Sequence, residues 1–382
     1  MIRVYFNPSV RHHLRGEEPT RAPMDFHKRL PGYGPTPIVP IPQLAEELGV
    51  GQVWVKDESN RYGLPSFKIL GAWWATYRLL VKRFGQSLES WASLEEFKSK
   101  LEPVRPTKLI AATDGNHGRA VARIAALLGF GARIFVPANT TAARIEAIAS
   151  EGADVITVDG SYEDALSQAV KEQNPQNLLV QDITLPGYED IPRWAVEGYS
   201  TIFWEVDEAL KARGEGGPTL VVAQIGGGSF AAAAVRHYRR GLQAPPRIVG
   251  IEPECAASTL ASMKAGHVVA VPGPHNSIMS GLNCGTVSMV AWPVLKAGID
   301  CFVGIGDERV GEAMRFLAGA GVTAGETGAS GAACLLELLN SPQAELARQR
   351  LDIGLSTRVL LISTEGATDP EAFRKIVGRD AT

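Results

Sequence analysis

The sequence lacks four features that would place it in large, easily recognised classes of protein. No apolar run in its 382 residues reaches the ~20 residues that a transmembrane helix needs, and the start of the chain has no signal-peptide core. The four cysteines, at 255, 284, 301 and 334, show neither CxxC nor zinc spacing. The net charge is only −3, which argues against a nucleic-acid or acidic membrane surface. We therefore expect a cytoplasmic protein with reduced thiols, no membrane or nucleic-acid partner and no metal site.

What the sequence has is an alternation of short apolar runs with amphipathic stretches. From residue 108 the runs KLIAAT, ARIFVP, ADVITV and NLLVQDI are separated by helical patterns, and a second series extends from TLVVAQIGGG to RVLLIST. Continuous apolar strands separated by helices are typical of parallel sheets covered on both faces. The two series predict two α/β domains, and the charged, proline-bounded segment 85–107 is interpreted as a surface insertion.

One lysine lies within the otherwise apolar, small-residue stretch LPSFKILGAWWA at residues 64–75. Ser66 is a good N-cap, and the apolar residues that follow have helical spacing. Lys68 shares a helix face with Gly71, Ala72 and Ala75, which should leave room for a ligand to approach its amine. A solvated lysine in the first turn of a helix is the alternative, and on this stretch alone it is the more common one.

Unusual residues also follow several of the predicted strands. TDGNHG at 113–118 contains more polar side chains than a capped turn requires, and QIGGGS at 224–229 offers backbone N–H groups at a helix start. Asp182 follows NLLVQ, and STEGATD at 363–369 follows the last strand. In open parallel sheets, ligands bind at this edge. An amine, a phosphate loop, carboxylates and hydroxyls form the set of groups that pyridoxal phosphate requires.

The glycine loop also permits a different interpretation. Gly226, Gly228 and Ala231 fit the dinucleotide fingerprint G-x-G-x-x-[GA], and Glu252 ends the next strand, where a ribose-binding acid belongs. An NAD-dependent oxidoreductase is therefore an alternative from another class of enzyme. It would leave Lys68 and the TDGNHG turn without roles.

Four of these stretches together resemble a known family. PSFK, the Gly-Asn-His turn, the GGGS-type loop and a Ser/Thr after the last strand are similar to the β-family (fold type II) pyridoxal-phosphate enzymes. Within it, ATDGNHGRAVA, VQDITLPGYEDIP and STEGATD are most similar to the diaminopropionate ammonia-lyases. The resemblance implies the tryptophan synthase β-like fold, with the cofactor in a cleft between a larger cofactor-binding domain (1–72 and 204–382) and a smaller α/β domain (73–203).

The resemblance also implies a role for each matching residue. Lys68 would form the Schiff base with pyridoxal 5′-phosphate, Asn116 would bond its ring hydroxyl, and Thr364 would meet its pyridine nitrogen. The phosphate would be held by the loop residues Gly226, Gly227, Gly228 and Ser229. Asp114 and Asp182 match two acids that serve the two stereoisomers of the substrate, one on each face.

The chain departs from the pattern of the family at two places. Ala367 stands where an Asp is common, and AWWA replaces the usual GGAYA after the lysine. These departures bear on the substrate more than on the cofactor. Cys255 and Cys284 are expected as thiols, although some relatives could pair the corresponding cysteines.

The resemblance predicts a reaction and leaves an alternative open. The expected activity is α,β-elimination of 2,3-diaminopropionate to pyruvate and ammonia through aminoacrylate, in a homodimer that takes a small amino acid as its substrate. The alternative is a pyridoxal-phosphate-dependent dehydratase of serine, threonine or phenylserine. A non-catalytic sensor on the same fold would not need Lys68.

Overall fold

The computed structural model describes residues 2–16, 18–113 and 115–381, and the chain divides into two compact units. The large unit comprises 1–20, 35–61 and 202–382, and the small unit comprises 21–34 and 62–201. The strands are β1 (Arg3–Phe6), β2 (Ile38–Pro40), β3 (Gln52–Asp57), β4 (Lys108–Ala112), β5 (Gly131–Pro137), β6 (Asp154–Val158), β7 (Asn177–Leu179), β8 (Leu220–Gln224), β9 (Arg247–Pro253), β10 (Cys301–Ile305) and β11 (Arg358–Ser363).

The helices of the first half of the chain are α1 (Ala22–Lys28), α2 (Pro42–Leu48), α3 (Lys68–Phe84), α4 (Leu94–Lys100), α5 (Asn116–Leu128), α6 (Ala142–Ala149), α7 (Tyr162–Lys171) and α8 (Asp190–Ala212). Those of the second half are α9 (Ser229–Tyr238), α10 (Ser258–Ala265), α11 (Trp292–Gly298), α12 (Val310–Gly319), α13 (Glu326–Leu338), α14 (Ala344–Leu351) and α15 (Pro370–Val377).

Each unit has its own sheet. The sheet of the large unit has the order β1-β10-β9-β8-β11-β3-β2, with parallel pairing from β10 to β3 and antiparallel strands β1 and β2 at the edges. The sheet of the small unit has the order β6-β5-β4-β7 and is parallel throughout. Every residue of β8 and β10 is buried, as expected for strands covered on both faces. The predicted pair of parallel-sheet α/β domains is confirmed.

The division into units differs from the predicted domain bounds at two segments. Residues 21–34 and 62–72 belong to the small unit, although the sequence prediction assigned them to the larger domain. The reason is that α3 is one continuous helix whose apolar side joins the core of the small unit from its first turns, beginning with Ile69. The chain passes from the small unit to the large one for the last time between residues 201 and 202, inside α8.

The segment 85–107 is not the surface insertion that its charge suggested. Trp91, Phe97 and Leu101 are buried and belong to the core cluster of the small unit. Trp91 packs edge-on against Phe26, with ring centroids 5.9 Å apart. The charged residues lie between these apolar ones, so the helix α4 covers the core with one side and meets solvent with the other.

A cluster of buried charges lies in the large unit. The Arg61 guanidinium donates to Glu58 at 2.6 Å and to both carboxylate oxygens of Glu205 at 2.8 Å. Lys56 donates to Glu205 at 2.6 Å and to the Thr36 carbonyl at 2.7 Å. Burial would raise the pKa of Glu205, but Arg61 and Lys56 outweigh it and hold that pKa well below its usual range. Two anions and two cations therefore balance one another away from water.

Helices α3 and α8 approach each other closely through two glycines. A Cβ at Gly71 would lie 2.4 Å from Cε1 of Tyr199, and a Cβ at Gly198 would lie 2.6 Å from the Leu70 carbonyl oxygen. Gly71, Ala72 and Ala75 are all buried. The expectation that Gly71 leaves room beside the lysine is wrong, because Tyr199 of the neighbouring helix fills that space.

We expect Gly71→Ala to lower the free energy of unfolding by about 1–3 kcal/mol, since the added methyl group overpacks the contact with Tyr199. The measurement is urea unfolding of the cofactor-free protein. Gly319→Ala is the matched control, because that helical glycine has nothing within 4 Å of a built Cβ. Its stability should stay the same or rise slightly. Equal stabilities for both variants would contradict the overpacking argument.

Candidate active site

In the small unit, Lys68 lies beside a carboxylate. Its Nζ donates to Oδ2 of Asp182 at 2.6 Å, and the two side chains are 28% and 10% exposed. Helix α3 begins at Lys68, and Ser66 contributes its Oγ as acceptor for the Lys68 N–H at 3.2 Å. The Lys68 amine is therefore only partly accessible to solvent, and it forms an ion pair with Asp182 before any ligand binds.

The position of Asp182 is set by the residues around it in the loop after β7. The Gln181 side chain accepts from the Ala112 N–H at 3.1 Å and donates to the Ala112 carbonyl at 3.0 Å, so it continues the pairing with β4. The Tyr188 hydroxyl accepts from the Gln181 N–H and donates to the Leu179 carbonyl, both at 2.8 Å. These bonds tie the loop to the strand ends on both sides of Asp182.

The charge of Asp182 is governed by its neighbours. Burial alone would raise the pKa of this carboxyl, but His117 and Lys68 outweigh it and hold the pKa well below its usual range. Asp182 is therefore a carboxylate throughout the physiological pH range. A carboxylate beside a lysine amine can act as a base once the amine is engaged elsewhere.

The TDGNHG turn lies at the carboxyl end of β4. The Gly115 N–H donates to Oγ1 of Thr113 at 3.0 Å, and α5 begins at Asn116. His117 points toward Asp182, with its Nδ1 3.7 Å from Oδ2. Asp114, the other predicted acid, lies outside the described residues. The structure thus brings Lys68, Asp182 and His117 together, and sequence reasoning had not singled out His117 for a role of its own.

In the large unit, the glycine loop connects β8 to α9. Gly228 has φ +97°, in the left-handed region that favours glycine, and α9 begins at Ser229. The Gly227 carbonyl accepts from the Ser288 N–H at 2.9 Å. The first N–H groups of a helix have no partner within the helix, and they stand at the positive end of its dipole. Such an arrangement binds phosphate.

Thr364 follows β11 directly in the same unit. Its side chain is 2% exposed, and its Oγ1 has no hydrogen-bond partner among the described residues. A buried hydroxyl without a partner costs about 1–3 kcal/mol. A ligand atom beside Thr364 Oγ1 would supply the missing hydrogen-bond partner.

Glu252 binds backbone N–H groups of the protein, whereas the dinucleotide interpretation requires it to bind a ribose. Its two carboxylate oxygens accept from the backbone N–H groups of Thr259 and Leu260, at 2.7 and 2.8 Å, and the residue is 1% exposed. It therefore satisfies the start of α10 and is not available to a ribose. That prediction for Glu252 is wrong, because the helix start and not a ligand determines its place.

Comparison with known proteins decides the family. The model of the family described as pyridoxal-phosphate dependent enzyme matches residues 29–351. The chain belongs to the pyridoxal-phosphate dependent enzyme family. Diaminopropionate ammonia-lyase from Salmonella typhimurium is 35% identical over 370 residues, which cover 93% of this chain and 91% of that protein.

Two crystal structures from Escherichia coli are similar over nearly the whole chain. Holo diaminopropionate ammonia lyase matches with a TM-score of 0.91 and 30% identity, over 99% of this chain and 96% of that one. The same enzyme in complex with an aminoacrylate-PLP azomethine reaction intermediate matches with a TM-score of 0.89 and 30% identity, over 99% and 97%. The cofactor of this pyridoxal-phosphate dependent enzyme is pyridoxal 5′-phosphate.

The described residues fit this cofactor, each within its own unit. Thr364 offers a buried neutral hydroxyl that has no hydrogen-bond partner among the described residues and is suited to a pyridine nitrogen. The loop before Ser229 offers the N–H groups for a phosphate. Lys68 offers a partly accessible amine. No cluster of three or more metal-ligating side chains occurs within the described ranges.

Two further features of this family member concern its cysteines and its helices. None of the four cysteines is in a disulfide, and burial raises the pKa of Cys301 and Cys334. Over the part of the chain that the structure describes, no helix combines the length and the apolar character needed to cross a membrane.

The buried carboxyl of Glu252 predicts a pH dependence of stability. Burial raises the pKa of Glu252 to about 7, although the hydrogen bonds from the N–H groups of Thr259 and Leu260 act to lower it. An acid with a raised folded-state pKa stabilises the fold fully below its unfolded pKa of about 4.3, and this contribution is lost as the pH rises through 7.

We therefore expect the wild type to lose stability relative to Glu252→Gln between pH 5 and pH 8, by up to about 1.4 kcal/mol per pH unit. In the variant one backbone N–H group loses its side-chain acceptor, and this adds a cost that does not depend on pH. Urea unfolding of both proteins at several pH values gives the difference. A difference that is constant with pH would contradict the prediction.

Proposed function

We propose that this chain is an ammonia-lyase that removes the β-amino group of 2,3-diaminopropionate and yields pyruvate and ammonia. The observation that carries the proposal is the contact of 2.6 Å between Lys68 Nζ and Asp182 Oδ2. It combines the amine that a pyridoxal-phosphate enzyme needs with a carboxylate that is held ionised. The full-length similarity to diaminopropionate ammonia-lyases supports the choice of substrate.

Each predicted site residue has a role in this proposal. Lys68 would bind the aldehyde carbon of the cofactor, Asn116 would bind its ring hydroxyl and Thr364 would bind its pyridine nitrogen. The loop of Gly226, Gly227, Gly228 and Ser229 holds the phosphate. Bound pyridoxal phosphate supplies an electron sink for the electron pair that remains when Cα loses its proton. A neutral hydroxyl opposite the pyridine nitrogen leaves that nitrogen largely unprotonated, which favours elimination over transamination.

Two acidic side chains of the protein remove the Cα proton of the substrate in this proposal. Asp182 takes the Cα proton from one face, and Asp114 takes it from the other. The β-ammonium leaves as ammonia with the electron pair of its C–N bond, so it needs no proton from the protein. The released unsaturated amine then reacts with water and gives pyruvate and a second ammonia.

The ionisation of Asp182 favours an amine over a hydroxyl as the leaving group. Hydroxide leaves readily only when an acid protonates it. A carboxyl whose pKa lies well below its usual range carries no proton at neutral pH that it could donate to a leaving hydroxide. Asp182 thus suits a substrate that brings its own proton on a second ammonium, and the second charge can pair with a carboxylate.

We also propose that the enzyme is a cytoplasmic homodimer. Four cysteines outside disulfides are consistent with a reducing compartment. The homodimer follows from the resemblance to the family, and analytical ultracentrifugation tests it.

The substrate assay tests the proposed function. We expect the wild type to release pyruvate from diaminopropionate at least about tenfold faster than it releases keto acid from serine, threonine or phenylserine. A lyase that depends on positioned groups should discriminate by this margin. Lys68→Ala should lose both turnover and the visible absorbance that borohydride abolishes in the wild type. Preference for a hydroxy amino acid would instead identify a dehydratase.

The two acids should separate the two enantiomers of diaminopropionate. A base reaches only the proton on its own face, so Asp182→Asn should lower turnover of the L isomer, and Asp114→Asn that of the D isomer, by about 10²–10⁴-fold. Steady-state assays with each enantiomer provide the measurement. Asp190→Asn is the control, since this acid forms an exposed pair with Lys82. Equal losses with both isomers in each variant would rule out the division of labour.

A further inference from the structure

The contact between Lys68 and Asp182 lies in surroundings that strengthen an ion pair. Lys68 Nζ is 2.6 Å from Asp182 Oδ2, and both side chains are largely shielded from water. The buried ring of Phe67 has its centroid 5.7 Å from the amine, and Tyr199 packs edge-on against Phe67 with ring centroids 4.7 Å apart. Apolar neighbours and little water strengthen the attraction between two opposite charges.

The other titratable groups around the pair do not replace the charge of Asp182. His117 lies with its Nδ1 3.7 Å from the same carboxylate oxygen, and an imidazole is either neutral or positive. Tyr188 and Tyr199 both interact electrostatically with Asp182, but burial raises the pKa of each, so their hydroxyls are neutral at physiological pH. Among these groups, Asp182 is the one that brings a negative charge to the Lys68 amine.

The attachment of the cofactor requires the uncharged form of that amine. A lysine reacts with an aldehyde through the lone pair of Nζ, and an ammonium has none. The ammonium must first lose a proton to solvent, because Asp182, whose pKa lies well below its usual range, is a poor acceptor for it. The lone pair then forms the C–N bond, and the aldehyde oxygen leaves as water with the two hydrogens that remained on Nζ.

The ion pair opposes the first of these steps, since a carboxylate in contact with an amine favours its charged form. We propose that Asp182 slows the attachment of pyridoxal phosphate to Lys68 in the cofactor-free protein. The inference goes beyond the proposed function, because it does not depend on which amino acid is the substrate. Asp182→Asn should therefore act in opposite directions on two processes. It should slow turnover and speed cofactor loading, whereas a merely structural defect would slow both.

The reactivity of the Lys68 amine tests the first step by itself. Brief labelling of the cofactor-free protein with acetic anhydride at neutral pH, followed by peptide mass spectrometry, gives the rate at which each uncharged amine reacts. We expect Asp182→Asn to raise the rate at Lys68, relative to Lys82 in the same sample, by at least about tenfold, since an opposite charge in contact typically shifts an ionisation equilibrium by about 10- to 1000-fold. An unchanged or lower ratio would overturn the proposal.

An exposed ion pair of the same unit provides the matched control. Lys82 pairs with Asp190, and the two side chains are 63% and 54% exposed. Water screens such a pair, so Asp190→Asn should change the acetylation rate of Lys82 by less than about threefold and leave that of Lys68 unaltered. A tenfold effect at Lys82 as well would contradict the argument that the closed surroundings give the Lys68 pair its strength.

The wild type supplies a test that does not depend on the folding of a variant. Its acetylation rate at Lys68 should rise about tenfold for each pH unit between pH 7 and pH 9, because the charged form of a paired lysine predominates throughout this range. A rate that does not change with pH would mean that the amine is already uncharged, and it would overturn the proposal.

The loading experiment measures the consequence for the cofactor. Cofactor-free protein is mixed with excess pyridoxal phosphate, and the growth of the visible absorbance that borohydride abolishes gives the rate. We expect Asp182→Asn to load faster than the wild type, by about tenfold where the chemical step limits the rate, although its turnover of L-diaminopropionate falls. Equal or slower loading would overturn the proposal. If a hydroxy amino acid proves to be the substrate, the proposed function fails, yet the loading rates still decide this role of Asp182.

Discussion

The ionised state of Asp182 is the constraint on which the active-site half of the small unit depends. A carboxylate that is 10% exposed is stable only if positive charge or hydrogen-bond donors replace the lost water. Lys68, the first residue of α3, supplies that charge. His117, in the first turn of α5, lies with its Nδ1 3.7 Å from the same carboxylate oxygen. The first turns of α3 and α5 therefore both lie beside Asp182, in the loop that follows β7. Removal of the carboxylate would take this ion pair away from a partly buried amine, so the fold and the chemistry require the same pair.

The large unit also buries charged side chains, but these have no role in the proposed reaction. Arg61, Glu58, Lys56 and Glu205 are all nearly inaccessible, and their charges cancel in pairs. The loss of one member of such a cluster typically costs 3–5 kcal/mol, because it leaves an uncompensated buried charge. In this cluster every charged group has a partner that it keeps. In the small unit, by contrast, the cation that neutralises Asp182 is the amine that must leave it for the cofactor.

The sequence predicts most of the fold and only part of the site. The apolar runs mark the strands, because a strand covered on both faces has no polar side, and KLIAAT indeed forms β4. The glycine loop and the TDGNHG turn likewise lie at strand ends, as predicted. The contact between His117 and Asp182 could not be predicted in this way. It depends on β4 and β7 being neighbours in a sheet of order β6-β5-β4-β7, and the chain order does not give that adjacency. The space beside Gly71 was misjudged for the same reason, since Tyr199 of α8, which fills it, comes much later in the chain.

Asp182 and Glu252 show why burial alone does not identify a functional acid. Glu252 lies at the end of β9 and Asp182 follows β7, and both are nearly inaccessible to water. Glu252 meets two neutral backbone N–H groups, and its pKa rises to about 7 because they do not compensate fully for the lost water. Asp182 meets Lys68 and His117, and its pKa falls far below the usual range in spite of the same burial. The first acid anchors a helix start and needs no charge to do so. The second must be charged before the substrate arrives, and Lys68, the cation that pairs with it, is also the amine that the proposed reaction uses.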